Sequence, residues 1–333
     1  MYTPPFTISS RAVNLISEIS RQTERYAIRM EHEDGVRLRK ENRIRTIHSS
    51  LAIEGNNLSR GEVATLLNGE SVVAPVRDIT EVKNAIRVYD AFDSFDPFSV
   101  DDLLRAHGMM MQALTDDAGH FRSGGVGVFA GDKVIHMAPP ASRVPLLISD
   151  LFEGLRESDD HLLIRSCVFH YEFEFIHPFS DGNGRMGRLW QSLILRRFHP
   201  IFAHLPVENM VFRHQSEYYD AIARSDATSD SGPFIDFMLA IILLTLKEHQ
   251  GAAIDGPLNG TENGTLNGTV NGVLKLIQEN PYITYEELSE ALGKSRRTIA
   301  RAIKSLIDKG YIRRVGPDKG GKWELVKNGA RKE

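Results

Sequence analysis

Four Asn-Gly pairs, each four residues after the one before, interrupt the chain between residues 259 and 272. Asn and Gly favour turns and tolerate left-handed backbone, so a segment built from them cannot contribute to a hydrophobic core. The repeat therefore predicts a linker over residues 251–272. It divides the 333-residue chain into a body, residues 1–250, and a tail, residues 273–333. A pairing strand or a docking peptide is the alternative interpretation of the repeat.

Charge is distributed unevenly between these two parts. The tail carries a net charge of +6 and residues 1–272 carry −10, although the whole chain is at −4. A basic tail on an acidic body suggests nucleic acid as a binding partner. The lone Cys167 excludes an internal disulfide, and the N-terminal sequence lacks the pattern of a secretory signal. The longest apolar run, residues 237–246, is too short to span a bilayer, so we expect a cytoplasmic protein with no membrane partner.

Apolar residues recur at helical spacing through most of the body, which predicts a mainly α fold. Asp101 is the predicted N-cap of one of these helices. Glycines and β-branched residues between 124 and 138 predict a single β-hairpin that turns at Gly131-Asp132. We divide the body into an N-terminal helical region, residues 1–95, and a helical core, residues 96–250.

A polar, glycine-containing loop separates two apolar helical runs of the core. Gly182, Asn183 and Gly184 lead into the second helix, where backbone N–H groups can bind an anion. Arg185 and Arg188 are three residues apart, so they share a helix face and can both reach polyphosphate oxygens. The segment predicts a phosphate-binding loop, and an ordinary connection between two helices is the alternative.

Two further residues of this loop could supply chemistry. Asp181 offers a hard oxygen ligand of the kind that Mg²⁺ prefers. His177 stands at the other end of the loop, where it could accept a proton from an incoming hydroxyl. Together with the phosphate-binding loop, they indicate a transfer reaction at phosphorus.

Residues 177–188 resemble the signature of the Fic (filamentation induced by cAMP) family, His-x-Phe-x-Asp/Glu-Gly-Asn-Gly-Arg-x-x-Arg, at every specified position. The resemblance extends over residues 45–245 and implies a helical fold with a β-hairpin flap, residues 124–138, that docks a protein target. It implies transfer of AMP from ATP to a Ser, Thr or Tyr hydroxyl. The resemblance also implies transfer of the nucleotide rather than of a single phosphate, because the kinase-like Doc branch of the family has a bulkier basic residue where this chain has Gly184.

The resemblance also implies a role for each matched residue. His177 would be the general base, Asp181 the Mg²⁺ ligand and Arg188 the group that holds the γ-phosphate. The other ATP-binding residues would be Gly182, Asn183, Gly184 and Arg185, and the flap residues that dock the target would be Val134, Ile135 and His136.

An aromatic pair lies further along the core. Tyr218 and Tyr219 resemble a pair that lines the nucleoside pocket in related enzymes, although two aromatic residues packed in the core are an equal alternative. Asp226 stands where some relatives have an Asn near the base, which leaves the choice of nucleobase open.

Upstream of the core, Ser50 and Glu54 fit the family's inhibitory motif, Ser/Thr-x-x-x-Glu-Gly/Asn, on a helix expected at residues 44–57. A carboxylate paired with Arg188 would occupy the place of the γ-phosphate and misorient ATP. The resemblance therefore implies a self-inhibited protein adenylyltransferase that can also modify itself. The alternatives are a hydrolase that removes AMP with the help of Glu54 and a DNA-binding regulator that senses nucleotide; a homodimer is left open.

The tail has the pattern of a small domain of its own. A capping box from Thr284 to Glu287 opens its second helix, and a third helix turns Ile299, Ile303, Leu306 and Ile307 inward. Two strands, residues 311–315 and 322–326, follow. The pattern predicts a winged helix-turn-helix with Arg296, Arg297 and Arg301 on its DNA-binding side. Protein docking is the alternative role.

Overall fold

The fold is that of a computed structural model, which describes residues 4–32, 35–130 and 133–249 of the body. In the tail it describes residues 273, 276–277, 280–292, 296–308, 312–315 and 322–325. The predicted linker, residues 251–272, lies outside the described residues. The chain divides into two compact units, Met1–Ile254 and Asp255–Glu333.

The first unit is helical apart from one hairpin, as the sequence predicts. Short 3₁₀ turns span Phe92–Ser94, Ala141–Arg143 and Pro200–Ala203. Its described helices are α1 (Ser10–His32), α2 (Gly35–Ile53), α3 (Arg60–Leu67), α4 (Val76–Asp90), α5 (Val100–Met110), α6 (Val144–Glu157), α7 (Leu162–Ile176), α8 (Asn183–Phe198), α9 (Val207–Arg213), α10 (Gln215–Thr228) and α11 (Gly232–His249).

Helices α7 and α8 lie at the centre of this unit and carry the predicted phosphate-binding loop between them. Both are buried over most of their surface, with Phe173 and Trp190 fully enclosed in one apolar cluster. Burial of a side chain of this size stabilises the fold by about 1.5–3 kcal/mol. The helices on both sides of the loop are therefore anchored in the same apolar cluster.

The helix expected at residues 44–57 is the second half of a longer helix. Helix α2 begins at Gly35 and ends at Ile53, one residue before Glu54. Gly55 adopts a φ of +90°, a conformation that an L-residue rarely takes, so the helix cannot continue through it. Glu54 is thus presented on a turn rather than inside a helix.

The hairpin is confirmed as an antiparallel pair, β1 (Gly127–Ala130) and β2 (Lys133–Met137), with Val128 opposite His136. The turn at Gly131-Asp132 lies outside the described residues. So do the side chains of the hairpin, including those of Val134, Ile135 and His136.

The prediction that Asp101 caps a helix is wrong. Helix α5 begins at Val100, and its cap is Ser99, whose hydroxyl accepts a hydrogen bond from the N–H of Asp102 at 3.2 Å. Asp101 lies in the first turn, where its charge still favours the positive end of the helix.

The second unit is a small winged helix. Its described elements are α12 (Tyr285–Leu292), α13 (Arg296–Asp308), β3 (Ile312–Val315) and the antiparallel β4 (Lys322–Leu325). The capping box is confirmed, since Thr284 and Glu287 exchange hydrogen bonds at 2.8 and 3.2 Å. Trp323 is buried against this unit's core.

One inward residue of α13 was predicted wrongly. Ile299, Ile303 and Leu306 are buried, but Ile307 is 43% exposed. Positions 299, 303 and 306 follow helical spacing along one stripe, and the next residue turns about 100° away from Leu306.

Candidate active site

The predicted phosphate-binding loop is closed by its own side chains. Asn183 accepts a hydrogen bond from the N–H of Phe179 and donates one to the carbonyl of Phe179, both at 2.9 Å. Gly182 adopts a φ of +87°, and a Cβ there would lie 2.8 Å from Sδ of Met111. The loop therefore needs the glycine for its conformation, and the Asn183 side chain shapes the loop rather than facing the pocket.

His107, on α5, contacts the phosphate-binding loop through a hydrogen bond and a stacked ring. Its Nδ1 accepts a hydrogen bond from the N–H of Gly119 at 2.9 Å, and its Nε2 lies 3.0 Å from the carbonyl of Asp181. The ring stacks on Phe179 with centroids 3.6 Å apart. Burial lowers the pKa of His107 to about 4, so the ring is neutral and its Nε2 donates to Asp181. The sequence pattern indicated only a core position on α5.

Arg122, which sequence reasoning missed, ties the end of α7 to the hairpin. Its Nε donates to the carbonyl of His177 at 2.7 Å, and its other nitrogens donate to Ile176, Gly124 and Pro139. Gly124 and Pro139 flank the hairpin on its two sides. One buried guanidinium thus fixes the backbone of His177 relative to both ends of the flap.

His177 is the last residue of the α7 turn and adopts left-handed dihedrals, with φ 50° and ψ 63°. Its Nδ1 lies 3.2 Å from the carbonyl of Glu174. A carbonyl only accepts hydrogen bonds, so we assign the proton to Nδ1, which leaves the lone pair on Nε2. His177 is arranged to accept a proton through Nε2.

A pocket of about 770 Å³, partly open to solvent, gathers residues that lie far apart in the sequence. Its lining includes six of the predicted site residues: Glu54, His177, Gly184, Arg188, Tyr218 and Tyr219.

The two tyrosines occupy different environments in this pocket. Tyr218 is buried, and its hydroxyl lies 3.1 Å from Nε2 of His170. Tyr219 is 44% exposed, which leaves its ring available for stacking. Asp226 also lines the pocket and accepts a hydrogen bond from the hydroxyl of Tyr171 at 2.6 Å. A flat apolar ligand could lie against Tyr219 within reach of a carboxylate.

Glu54 and Arg188 meet inside the pocket. Nη2 of Arg188 donates to Oε1 of Glu54 at 2.7 Å and to the carbonyl of Ser50 at 2.9 Å. The hydroxyl of Ser50 accepts from Nε at 3.2 Å. A Cβ on Gly184 would overlap Oε1 of Glu54, so the glycine leaves the space that this carboxylate fills. The Arg188 guanidinium is buried and held by residues upstream of the core.

Glu174 is a buried pocket residue that the sequence pattern did not single out. Its Oε1 has no hydrogen-bond partner among the described residues, and its Oε2 lies 3.9 Å from Nδ1 of His177. Burial raises the pKa of Glu174 to about 8, with Glu54 adding to the rise and Arg188 opposing it. Two acidic residues, Glu172 and Glu174, in the apolar run before His177 were the available signal.

Asp181 faces a second cluster beside the pocket. Its Oδ1 accepts hydrogen bonds from the N–H of Gly182 at 2.6 Å and from Arg185 at 2.9 Å, and its Oδ2 lies 3.2 Å from Arg77. Arg77 and Arg185 in turn lie 3.3 and 3.6 Å from Oε1 of Glu81. These four side chains form a ring of alternating charge, which we call the charge ring.

Asp181 fits the requirements of a Mg²⁺ ligand. Its side chain is 42% exposed, and Mg²⁺ commonly takes one or two carboxylates together with phosphate oxygens and water. Within the described residues, three or more His, Cys, Asp or Glu side chains do not come together around a metal position. A single carboxylate completed by substrate phosphates is therefore the arrangement that these residues could offer.

Of the three arginines predicted to contact DNA, only one has a side chain within the described residues. Arg296 is exposed at the start of α13 and lies 2.8 Å from Glu286. The side chains of Arg297 and Arg301 lie outside the described residues. No helix in the described parts of the chain combines the length and the apolar content needed to cross a bilayer.

Comparisons with known proteins agree with this architecture. The Fic/DOC family model matches residues 97–195, and a winged helix-turn-helix DNA-binding model matches residues 266–313. A solved structure of a Fic family protein from Desulfovibrio desulfuricans G20 is 40% identical, with a TM-score of 0.72, and the match covers 99% of this chain and 100% of that chain.

Curated relatives are more distant. Protein adenylyltransferase fic-1 of Caenorhabditis elegans is 28% identical over 221 residues, which are 62% of this chain and 41% of that protein. A probable protein adenylyltransferase of Aquifex aeolicus is 29% identical over 209 residues, 57% of this chain and 58% of that protein. The chain thus spans about two fifths of the length of the nematode relative. The end-to-end match with the Desulfovibrio protein shows that this chain belongs to the Fic family.

Proposed function

We propose that this protein is a protein adenylyltransferase that inhibits itself. The observation that carries the proposal is the meeting of His177, Gly184 and Arg188 in one pocket, with Glu54 paired to Arg188. The names of the curated relatives support transfer of AMP in general. The substrate would be ATP, and the acceptor a hydroxyl of a protein, this chain included.

His177 would act as the general base. The acceptor oxygen attacks the α-phosphorus of ATP, a new O–P bond forms, and the bond to pyrophosphate breaks. The hydroxyl proton passes to Nε2 of His177, the nitrogen left free of a proton by the contact of Nδ1 with Glu174. Pyrophosphate leaves, and AMP stays on the acceptor.

The start of α8 would hold the phosphates. The first N–H groups of a helix have no partner within the helix, and the helix dipole adds positive charge there. Arg185 and Arg188 would supply charge-assisted hydrogen bonds to the same oxygens. Asp181 would hold Mg²⁺, which neutralises phosphate charge when bound. The Tyr219 ring, half-exposed at the pocket, would stack against the base.

Glu54 would inhibit transfer by pairing with Arg188, the residue that would otherwise bind the γ-phosphate of ATP. Its carboxylate already satisfies Arg188 at 2.7 Å and fills the space next to Gly184. A nucleotide could still bind through its base and the remaining loop, but its γ-phosphate could not reach Arg188. The α-phosphorus would then be misaligned for attack, which slows transfer strongly.

Intact-mass measurement after incubation with ATP and Mg²⁺ tests the reaction, because self-modification needs no known target. We expect a mass gain that matches AMP. In the Glu54→Gly background, His177→Ala should lower the labelling by about 10²–10⁴-fold while ATP still binds, because only proton removal is lost. Equal labelling of the variant would assign the base elsewhere. A gain that matches phosphate would change the class of reaction.

For the tail we propose DNA binding. The winged helix-turn-helix DNA-binding model covers residues 266–313, and the tail carries a net charge of +6. Helix α13 presents Arg296 and Lys304 to solvent, as a helix that enters the major groove must.

A further inference from the structure

We propose that Glu81 of α4 is a second inhibitory carboxylate, whose negative charge weakens the attraction of Arg185 for the phosphates of ATP, whereas Glu54 hydrogen-bonds Arg188 directly. The inference rests on the proposed function, because it assigns Glu81 to the phosphate-binding step of that reaction. Both arginines of the loop would then be paired with upstream acidic residues before nucleotide binds.

The first argument is the incomplete bonding of Arg185. Its side chain is only 3% exposed, and its Nε and Nη1 have no hydrogen-bond partner among the described residues. Nη1 lies 3.6 Å from Oε1 of Glu81, close enough for an ion pair but too far for a hydrogen bond. Asp181 accepts a hydrogen bond from Nη2 at 2.9 Å, and Glu81 adds further negative charge beside Nε and Nη1, the donors that remain for phosphate oxygens.

The second argument is the position of Glu81, whose side chain is 10% exposed. A carboxylate so close to a phosphate-binding arginine lowers the local positive potential that attracts ATP, and little water screens it. The charge ring holds Glu81 there, since Arg77 bridges it to Asp181.

The third argument is a direct connection to the inhibitory turn. Nδ2 of Asn56, two residues after Glu54, donates to Oε2 of Glu81 at 2.8 Å and to the carbonyl of Asp78 at 3.1 Å. Asn56 is buried, and its hydrogen bond to Glu81 attaches α4 to the turn on which Glu54 lies. Glu81 thus contacts the inhibitory turn on one side and the phosphate-binding loop on the other.

A double-mutant cycle on ATP binding tests the proposal. ATP affinity is measured by calorimetry without Mg²⁺ on the full chain as it stands and on Glu81→Gln, Arg185→Ala and the double variant. Glu81→Gln can keep an acceptor oxygen toward Asn56 while it removes the negative charge and places an NH2 group where an oxygen faced Arg77 and Arg185. We expect it to tighten ATP binding on the order of three- to tenfold, and to change it less than about twofold in the Arg185→Ala background.

Two controls separate this role from simpler ones. Glu157→Gln removes the same charge from an exposed position at the end of α6 and should leave ATP affinity unchanged. Glu81→Asp restores the charge and should return the affinity toward the starting value. If Glu81 were merely structural, Glu81→Gln would weaken ATP binding in both backgrounds, and that result would overturn the proposal.

The result of this ATP-binding experiment does not depend on whether the protein transfers AMP. Absence of AMP transfer by Glu54→Gly, with the cycle as expected, would refute the adenylyltransferase and leave the pairing of Glu81 with Arg185 standing. Transfer by Glu54→Gly, with no tightening by Glu81→Gln, would refute the role of Glu81 alone.

Discussion

Single residues in this protein act through partners that are distant in the chain. Arg188 is held by Ser50 and Glu54, which lie 138 and 134 residues away in sequence. His177 takes its backbone position from Arg122, which lies 55 residues away. A substitution at either partner therefore acts on the pocket without touching the loop sequence.

If Glu54 inhibits transfer as proposed, removal of its carboxylate should activate the protein. We expect Glu54→Gly to raise self-labelling with AMP on the order of tenfold or more, because Arg188 is freed for a charge-assisted contact with phosphate. The measurement is intact mass against time at fixed ATP and Mg²⁺. Glu41→Gly, an exposed carboxylate earlier on α2, serves as a matched control.

A substitution of Arg188, the partner of Glu54, completes this test. Arg188→Ala should be inactive with either residue at position 54, since the group that would align the γ-phosphate is absent. Activity of Arg188→Ala combined with Glu54→Gly would mean that Arg188 does not hold phosphate.

Buried His170 should make stability depend on pH. Burial lowers its pKa to about 4, below the value of about 6.5 that it has in an unfolded chain. The unfolded state therefore binds the proton first, so the stabilisation is complete above pH 6.5 and declines as the pH falls toward 4. Urea unfolding at pH 7.5 and 5.5 should show a loss of about 1.4 kcal/mol from this residue.

His170→Gln isolates that contribution. It removes the titrating group but keeps polar atoms for Gln191 and Tyr218, the two partners of the ring. We expect a lower overall stability and a decline between the two pH values that is smaller by about 1.4 kcal/mol. An unchanged decline would assign the pH dependence to other groups.

Elements of the fold were predictable to different degrees. The capping box of α12 is local, with both partners within four residues, and the sequence pattern predicts it correctly. The cap of α5 was misassigned to Asp101 because Ser99 and Asp101 both have capping side chains, and only the backbone geometry distinguishes them. The end of α2 depended on a single glycine, Gly55.

The hairpin and α7 should act as one element through Arg122. Arg122→Ala leaves four carbonyls, one buried and three partly buried, without this donor, so we expect the free energy of unfolding to fall by about 3 kcal/mol. Transfer of AMP should fall as well, because His177 and the flap lose their common anchor. Urea unfolding and labelling rates measure the two effects.

Arg165 offers the matched control for this prediction. It donates to carbonyls at the end of α6, away from the phosphate-binding loop. Arg165→Ala should destabilise the fold without a specific loss of transfer. If Arg122→Ala behaved in the same way, Arg122 would have no part in positioning His177.

The whole molecule combines an acidic first unit with a basic second one. If the tail binds DNA, its affinity should come mainly from Lys and Arg contacts with phosphate. Fluorescence anisotropy of the full chain with random duplex DNA should then give a log–log salt slope of about −3 to −4 for a monomer. A dimer would double the slope.

Replacement of Arg296 and Arg297 with Ala should weaken DNA binding and reduce the salt slope, while transfer of AMP is unaffected. Arg21 and Arg25, exposed on α1, allow a control that loses the same charge. Absence of DNA binding at low salt would assign the tail to protein docking.

The sequence alone determined the helical class, the single hairpin and the winged helix, and it predicted which residues form the candidate phosphate-binding loop. These depend on spacing within a few residues, where backbone geometry leaves few alternatives. It did not indicate Arg122, Glu81 or the orientation of Asn183, because each acts through a partner on another element or through the exact path of the loop. Only packing decided those contacts, since a buried guanidinium or carboxylate pairs with whatever the fold brings within hydrogen-bond distance.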